Sequence, residues 1–303
     1  MNHTGFGKRV LRDWQFIVLA LPALLYFLIF HYLPMVGVVI AFQDFKPGAG
    51  LFASKFVGFQ WFREFFSSVF IGRIVGNTLL LSVYMLLWSF PIPILFALML
   101  NEVSDGVFKR FVQSVSLLPH FISLVVMVGI LSNFLSQTDG IINRFLNILG
   151  YESIAFMSEP GWFRSIYIIS GIWQEFGWSS VVYIAAVSSI SQQLYEAAEI
   201  DGCSRFKQMV HVTLPGIMPT MITLLILNLG NIMNVGFEKI ILMYGPSTYS
   251  TADVISTFVY RRGILDAQYS YAAAVGLFNS VVNLGLLVFV NWISRRKTGV
   301  GLF

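Results

Sequence analysis

Six long apolar runs alternate with short polar segments along the chain, at about 15–42, 74–100, 116–135, 165–188, 217–236 and 271–293. An α-helix rises about 1.5 Å per residue and the hydrocarbon core of a bilayer is about 30 Å thick, so roughly 20 mostly apolar residues make one crossing. The pattern predicts an all-α integral membrane protein with six transmembrane helices over residues 15–293. Lys8, Arg9 and Arg12 precede the first run, as in a secretory signal. The run is well beyond the roughly 7–15 residues of a signal core and no A-x-A site follows, so it reads as a retained helix. Pro91 and Pro93 predict a kink in the second run.

Six crossings bring both termini to one side. Lys8, Arg9, Arg12, Lys109, Arg110, Arg205, Lys207, Arg295, Arg296 and Lys297 fall on that side, ten of the nineteen basic residues. Basic residues crowd the cytoplasmic ends of spans, so residues 1–14 and 294–303 are expected to be cytoplasmic tails of a cell-membrane protein.

Composition works mainly by exclusion. Of 303 residues, 56% are hydrophobic and 11% charged, against about 25% charged in a soluble domain. The net charge of +4 is spread in ones to threes, which flanks spans and forms no nucleic-acid groove. Cys203 is the single cysteine and cannot form an internal disulfide; His31, His120 and His211 have no metal-ligand spacing. No phosphate-binding Gly-rich loop, H-E-x-x-H or G-x-S-x-G occurs. No catalytic residue, metal site or resident cofactor is expected, so any chemical work falls to a partner. Outer segments carry Phe59, Trp61, Phe62, Phe65 and Phe66, then Trp162 and Phe163, either as an interfacial aromatic belt or as a docking surface.

One polar block interrupts the apolar rhythm between runs four and five. Residues 196–216 read EAAEIDGCSRFKQMVHVTLPG. Phe206, Met209, Val210 and Thr213 fall on one helix face. Gly202 suggests two short helices at an angle, and Pro215 is expected to stop the second just before run five. Glu196, Glu199 and Asp201 within a turn and a half give the block the character of a rigid knob presented to a soluble protein.

Glu196-Ala197-Ala198, Asp201-Gly202, Val212 and Leu214-Pro215, with Pro219 beyond, resemble the EAA loop of ABC-importer permeases. Cys203 stands where that pattern usually has Ala, and Val212 where it has Ile. HYLPMVGVVIAFQDFKP (31–47), FPIPILFALMLNEV (90–103), FVQSVSLLPHFIS (111–123), YSYAAAVGLFNSV (269–281) and the terminal GLF extend the resemblance to carbohydrate permeases of the lipoprotein/polysaccharide-importer branch. The resemblance implies that residues 195–216 form a cytoplasmic coupling helix seated in an ATPase cleft. Glu196 would offer a charged contact, Ala197 and Ala198 close approach, and Gly202 the turn, with Asp201, Leu214 and Pro215 completing the motif. It also implies a heterodimer with a second six-span permease, two copies of an ABC ATPase holding ATP and Mg, and an extracellular solute-binding protein. Transport would proceed by alternating access, with an oligosaccharide or polysaccharide fragment as substrate.

Polar side chains inside spans mark candidate substrate contacts. Run four offers Trp173, Gln174, Glu175 and Trp178, an aromatic and hydrogen-bonding set suited to a sugar. Run five has Asn228, Asn231 and Asn234 along one stripe, and run six has Asn279 and Asn283. Each Asn serves equally well as packing glue between helices. Glu238-Lys239 and Arg261-Arg262 read as solvated loop charges or as contacts for a binding protein. Two other functions stay open on the residues alone. One is the same permease fold for a non-sugar solute such as an amino acid or phosphate, although the runs contain no Lys or Arg. The other is a standalone channel or membrane scaffold.

Overall fold

The computed structural model describes residues 14–299 and 301. The expected cytoplasmic stretch with Lys8, Arg9 and Arg12, and most of the terminal GLF, lie outside the described residues. Those described are mostly helical and divide into two compact units, residues 14–67 with 261–277, and residues 68–260 with 278–299 and 301.

The first unit begins with α1, a continuous helical run Trp14–Phe42 of 29 residues. None of its residues before Ile40 is buried. A π-helical turn at Leu28–Tyr32 precedes Pro34, with the Leu33 N–H donating to the Leu28 carbonyl. The extra residue in that turn gives the proline ring room without ending the helix. Gln43–Asp44 then pairs antiparallel with Lys55–Phe56, and α2 (Gln60–Ser67) follows. Trp61 Nε1 donates to the Gln43 carbonyl at 2.9 Å, and Phe65 is buried while Phe59 and Phe66 stay exposed. The aromatic cluster is therefore partly a local core.

The second unit is built around one helix. It opens with α3, the 32-residue run Ile71–Glu102. Its α-helical pattern restarts at Pro91 after Phe90, the position at which two prolines predict a kink. Next comes α4 (Val107–Phe121), then α5 (Leu124–Phe134) bent from it by 97°. The third apolar run is thus not one straight span. Pro119 has no N–H to continue the ladder, Ile122 and Ser123 are extended, and Ser123 Oγ caps the new helix at the Val126 N–H. The short α6 (Ile141–Ile148) leads to α7 (Pro160–Ser188), 29 residues long.

α8 (Gln192–Ile200) and α9, the 26-residue run Arg205–Gly230, follow. Pro215 does not stop the helix as its chemistry alone suggests. A π-helical turn at Met209–Thr213, closed by the Leu214 N–H to the Met209 carbonyl, carries α9 past it, as in α1. Short α10 (Phe237–Met243) and α11 (Ile255–Tyr260) precede the 30-residue α12 (Tyr269–Thr298), whose residues from 278 belong to this unit.

By length and composition α1, α3, α9 and α12 are each able to cross a membrane, and the α4–α5 pair makes a fifth if the bent helices form one span. α7 is less apolar because it is the hub. Ser170, Gln174 and Ser180 lie buried along it. One hydrophobic cluster packs Phe163, Tyr167 and Ile168 against Leu81, Met127 and Ile240. The other packs Tyr183 and Val187 against Ile94, Leu98 and Ile217.

At the N-terminal end of α7 a buried polar network ties the 249–257 segment to α3. Asp253 is fully buried, takes an ion pair from Arg73 at 3.3 Å and a hydrogen bond from Thr257 Oγ1 at 3.0 Å. Asn77 donates to the carbonyls of Ser250 and Asp253 and accepts from Arg164 at 2.8 Å. Breaking a fully buried pair costs about 3–5 kcal/mol. Arg73 keeps 37% of its side chain exposed, so Asp253→Ala is expected to cost about 2–3 kcal/mol, seen as a lower midpoint of thermal unfolding in detergent. An unchanged midpoint would mean the pair contributes nothing to the fold.

Candidate transport pathway and coupling hairpin

Successive residues on a helix point about 100° apart, and α7 uses that rotation to send three neighbouring side chains to three places. Gln174 is buried and donates from Nε2 to the Ile122 carbonyl at 3.1 Å. It meets the chain at the break between α4 and α5, where backbone groups lose their helical partners. Glu175 contacts His120 Nδ1 at 3.1 Å, and the His120 ring stacks on Trp178 with centroids 4.5 Å apart. Trp173 lies in an apolar groove with Leu131, Phe156 and Trp162. The structure thus separates Trp173, Gln174 and Glu175 and sets Trp178, four helix positions after Gln174, beside the carboxylate.

A cavity of about 360 Å³ opens between α3, α7 and α9. Glu175, Trp178, Ser179 and Asn228 share its wall with Ser89 and Tyr183. A carboxylate, an amide, hydroxyls and an indole around one space match what a polyhydroxylated solute requires. On another side α7 approaches α4 closely through a glycine. A Cβ on Gly177 would lie 2.0 Å from the Ser116 carbonyl oxygen.

The other asparagines face one another instead. Asn279 and Asn283 donate to Asn234 Oδ1 at 3.1 and 3.2 Å, and Asn283 Oδ1 accepts from the Met233 N–H at 3.0 Å. Asn231 donates to the Leu227 carbonyl at 3.3 Å and lies 3.5 Å from Asn234. This net closes the end of α9 onto α12, and Asn228 alone of the five borders the cavity. Lys239, which reads in the sequence as a solvated loop charge, is buried. Its Nζ donates to the Tyr167 carbonyl at 2.7 Å and lies 4.7 Å above the Tyr167 ring. Its neighbour Glu238 is exposed. Helical rotation within α10 puts one charge outside and the next against α7, and no linear pattern in a seven-residue helix signals which.

The polar block forms a hairpin. α8 ends at Asp201, Gly202 takes φ +73°, and the N–H groups of Asp201, Gly202 and Cys203 cap the carbonyls of Ala197, Glu199 and Ala198 at 2.9–3.0 Å. A positive φ is free of Cβ strain only for glycine. Tyr195 and Thr213 hydroxyls bond across the hairpin at 2.9 Å, and Gln208 Nε2 donates to the Cys203 carbonyl at 3.2 Å. Glu196, Ala197, Glu199, Ile200, Asp201 and Gly202 are exposed, as is Phe206, while Ala198 is half-buried. Leu214 and Pro215 begin the α-helical continuation of α9. Ile200 is 88% exposed and Phe206 70%.

Several long apolar helices packed on a polar-lined hub, with a capped hairpin projecting from it, define a multi-span membrane transport subunit. Residues 89–299 match the family of binding-protein-dependent transport system inner membrane components, and the chain belongs to that family. It is a permease component of an ABC importer, a class in which ATP is hydrolysed on a separate subunit. It is 44% identical over 292 residues to Protein LplB of Bacillus subtilis, covering 96% of this chain and 92% of the relative. The polygalacturonan/rhamnogalacturonan transport system permease protein YteP of the same organism is 39% identical, with 97% and 92% covered. A chain of a bacterial ABC transporter that imports the acidic polysaccharide alginate superposes with a TM-score of 0.89 at 46% identity, covering 96% of this chain and 98% of that one. In the structure of a bacterial alginate ABC transporter with its periplasmic protein carrying alginate pentasaccharide, the TM-score is 0.91 at 45% identity, with 98% and 99% covered.

Proposed function

We propose that this chain is one six-span half of the membrane pore of an ATP-driven importer for an oligosaccharide or polysaccharide fragment. A second permease forms the other half, two copies of an ABC ATPase bind ATP and Mg, and a solute-binding protein delivers substrate at the outer face. The six spans are α1, α3, the bent α4–α5 pair, α7, α9 and α12, with both termini cytoplasmic in the cell membrane. The α8–α9 hairpin then lies in the cytoplasm as the coupling helix. Glu196, Ala197, Ala198, Asp201 and Gly202 meet the ATPase, and Leu214 and Pro215 pass its movement into α9. ATP binding closes the ATPases and opens the bundle outward; hydrolysis returns it inward.

The observation that carries this reading is the cavity shared by Glu175, Trp178 and Asn228, in a chain of a carbohydrate-importer-like sequence. Sugar hydroxyls would donate to Glu175 and bond to Asn228, with Trp178 as the stacking face. Trp173, Gln174, Asn231 and Asn279 serve the pathway by holding its walls. The test is uptake of labelled oligosaccharides by the complete complex in proteoliposomes. A hydrogen bond to a charged group is worth about 1.5–3 kcal/mol, so Glu175→Gln is expected to reduce transport efficiency about 10- to 100-fold while the complex still assembles. Equal uptake by wild type and variant across uronic-acid and neutral oligosaccharides would remove Glu175 from the pathway.

A further inference from the structure

A second cavity, of about 340 Å³, lies where α3, α4 and α7 come together beside the start of the coupling hairpin. Lys109, Arg110, Asn101 and Gln113 provide its donors, and Asp105 stands in the same wall. We propose that this cavity binds the phosphate headgroup of an anionic phospholipid of the cytoplasmic leaflet.

Charge is the first reason. Lys109 Nζ pairs with Asp105 at 2.9 Å. The hydrogen bond and charge of Lys109 hold the Asp105 carboxyl below its usual range, so that pair is neutral overall. Arg110 has no ion pair among the described residues. Two cations less one anion leave one positive charge on the wall, the complement of a singly charged phosphodiester. Neutral amides of Asn101 and Gln113 are available for its remaining oxygens and for headgroup hydroxyls.

Position is the second. The cavity is lined by Asn101 at the end of α3 and by Ser188 at the end of α7, the ends at which these two spans of the proposed topology leave the bilayer on its cytoplasmic side. Val107, Phe108, Phe111, Val115 and Leu118 form one exposed apolar stripe on α4, Lys109 and Gln113 lie on the opposite side, and Arg110 lies between the two. Lys and Arg side chains at the ends of spans extend to the headgroup level. Lys109 and Arg110 therefore stand at the level where anionic phosphates are concentrated.

The test uses the complete complex in mild detergent, with phosphatidylglycerol or phosphatidylcholine added and bound lipid counted by native mass spectrometry. A basic residue near an anionic lipid surface is worth about 1 kcal/mol, or about fivefold in affinity. Arg110→Gln is expected to weaken phosphatidylglycerol binding about fivefold, and Lys109→Gln with Arg110→Gln further, while Arg110→Lys keeps most of it. Phosphatidylcholine binding should be weaker than phosphatidylglycerol binding and indifferent to all three variants. Equal binding of the two lipids, or unchanged phosphatidylglycerol binding in the double variant, overturns the proposal. So does displacement of the lipid by free glycerol phosphate at equal concentration, which would make the site one for soluble phosphate esters. Loss of the ATPase subunit from the double variant with lipid binding intact would make the cavity a protein contact instead. None of these readouts depends on what solute the complex transports.

Discussion

Gly177→Ala is expected to be among the most damaging single substitutions in this chain, although it adds one methyl group. The new Cβ would lie 2.0 Å from the Ser116 carbonyl oxygen and 2.4 Å from its carbon. Both are backbone atoms of α4, so no side chain can rotate out of the way. Either α4 moves from α7 or α7 bends, and each response spreads. The Gln174 bond to Ile122 and the contacts of His120 with Glu175 and Trp178 lie within a turn of the clash. Overpacking of this kind costs about 1–3 kcal/mol, and displaced hydrogen bonds add to it. The measurement is the midpoint of thermal inactivation of the assembled complex together with uptake. Gly129→Ala is the control, because a Cβ there meets nothing within 4 Å. It should leave both unchanged or raise the midpoint slightly, since alanine favours the helix. If both substitutions behave alike, the close approach of α4 and α7 at Gly177 does not constrain the fold.

The second large effect is expected at the hairpin. Gly202→Pro asks a residue fixed near φ −65° to occupy a position at φ +73°. It also deletes the N–H that caps the Glu199 carbonyl at 3.0 Å. The turn between α8 and α9 must be rebuilt. Ordinary couplings between sites are worth about 1–3 kcal/mol, or about 5- to 150-fold. Uptake should fall within that range or beyond it, while ATP hydrolysis by any assembled complex continues without driving transport. Gly202→Ala separates strain from coupling, since alanine at positive φ costs only about 1–2 kcal/mol and keeps the N–H. It should retain assembly and much of the uptake. Normal uptake by an assembled Gly202→Pro complex would sink the coupling role of the hairpin.

Much of the architecture was legible in the residues. The apolar runs near 15–42, 74–100, 217–236 and 271–293 correspond to α1, α3, α9 and α12, because burial in lipid demands length and uniform apolarity, both readable in one dimension. The Gly202 turn was legible for a local reason, since only glycine takes that φ without strain. Pro215 was misleading. A proline ends a helix only if the chain cannot add a residue to the preceding turn, and Met209–Thr213 does so. The third run misled in the opposite sense, its uniform apolarity hiding a 97° bend between Phe121 and Leu124.

What the sequence by itself determined is therefore a mostly helical, membrane-embedded chain, the positions of its longest helices, and the family signature around Glu196–Pro215. The tertiary structure decided which polar side chains meet. Trp173, Gln174 and Glu175 are adjacent in sequence yet face an apolar groove, a backbone break and a cavity. Asn228 joins Glu175 from another helix, while Lys239 leaves its exposed neighbour Glu238 to lie buried on Tyr167. Apolar burial is a property summed along a segment, so composition reveals it. A polar contact is a property of one atom's direction, set by helix rotation and by neighbours tens of residues away, and only the packed fold supplies it.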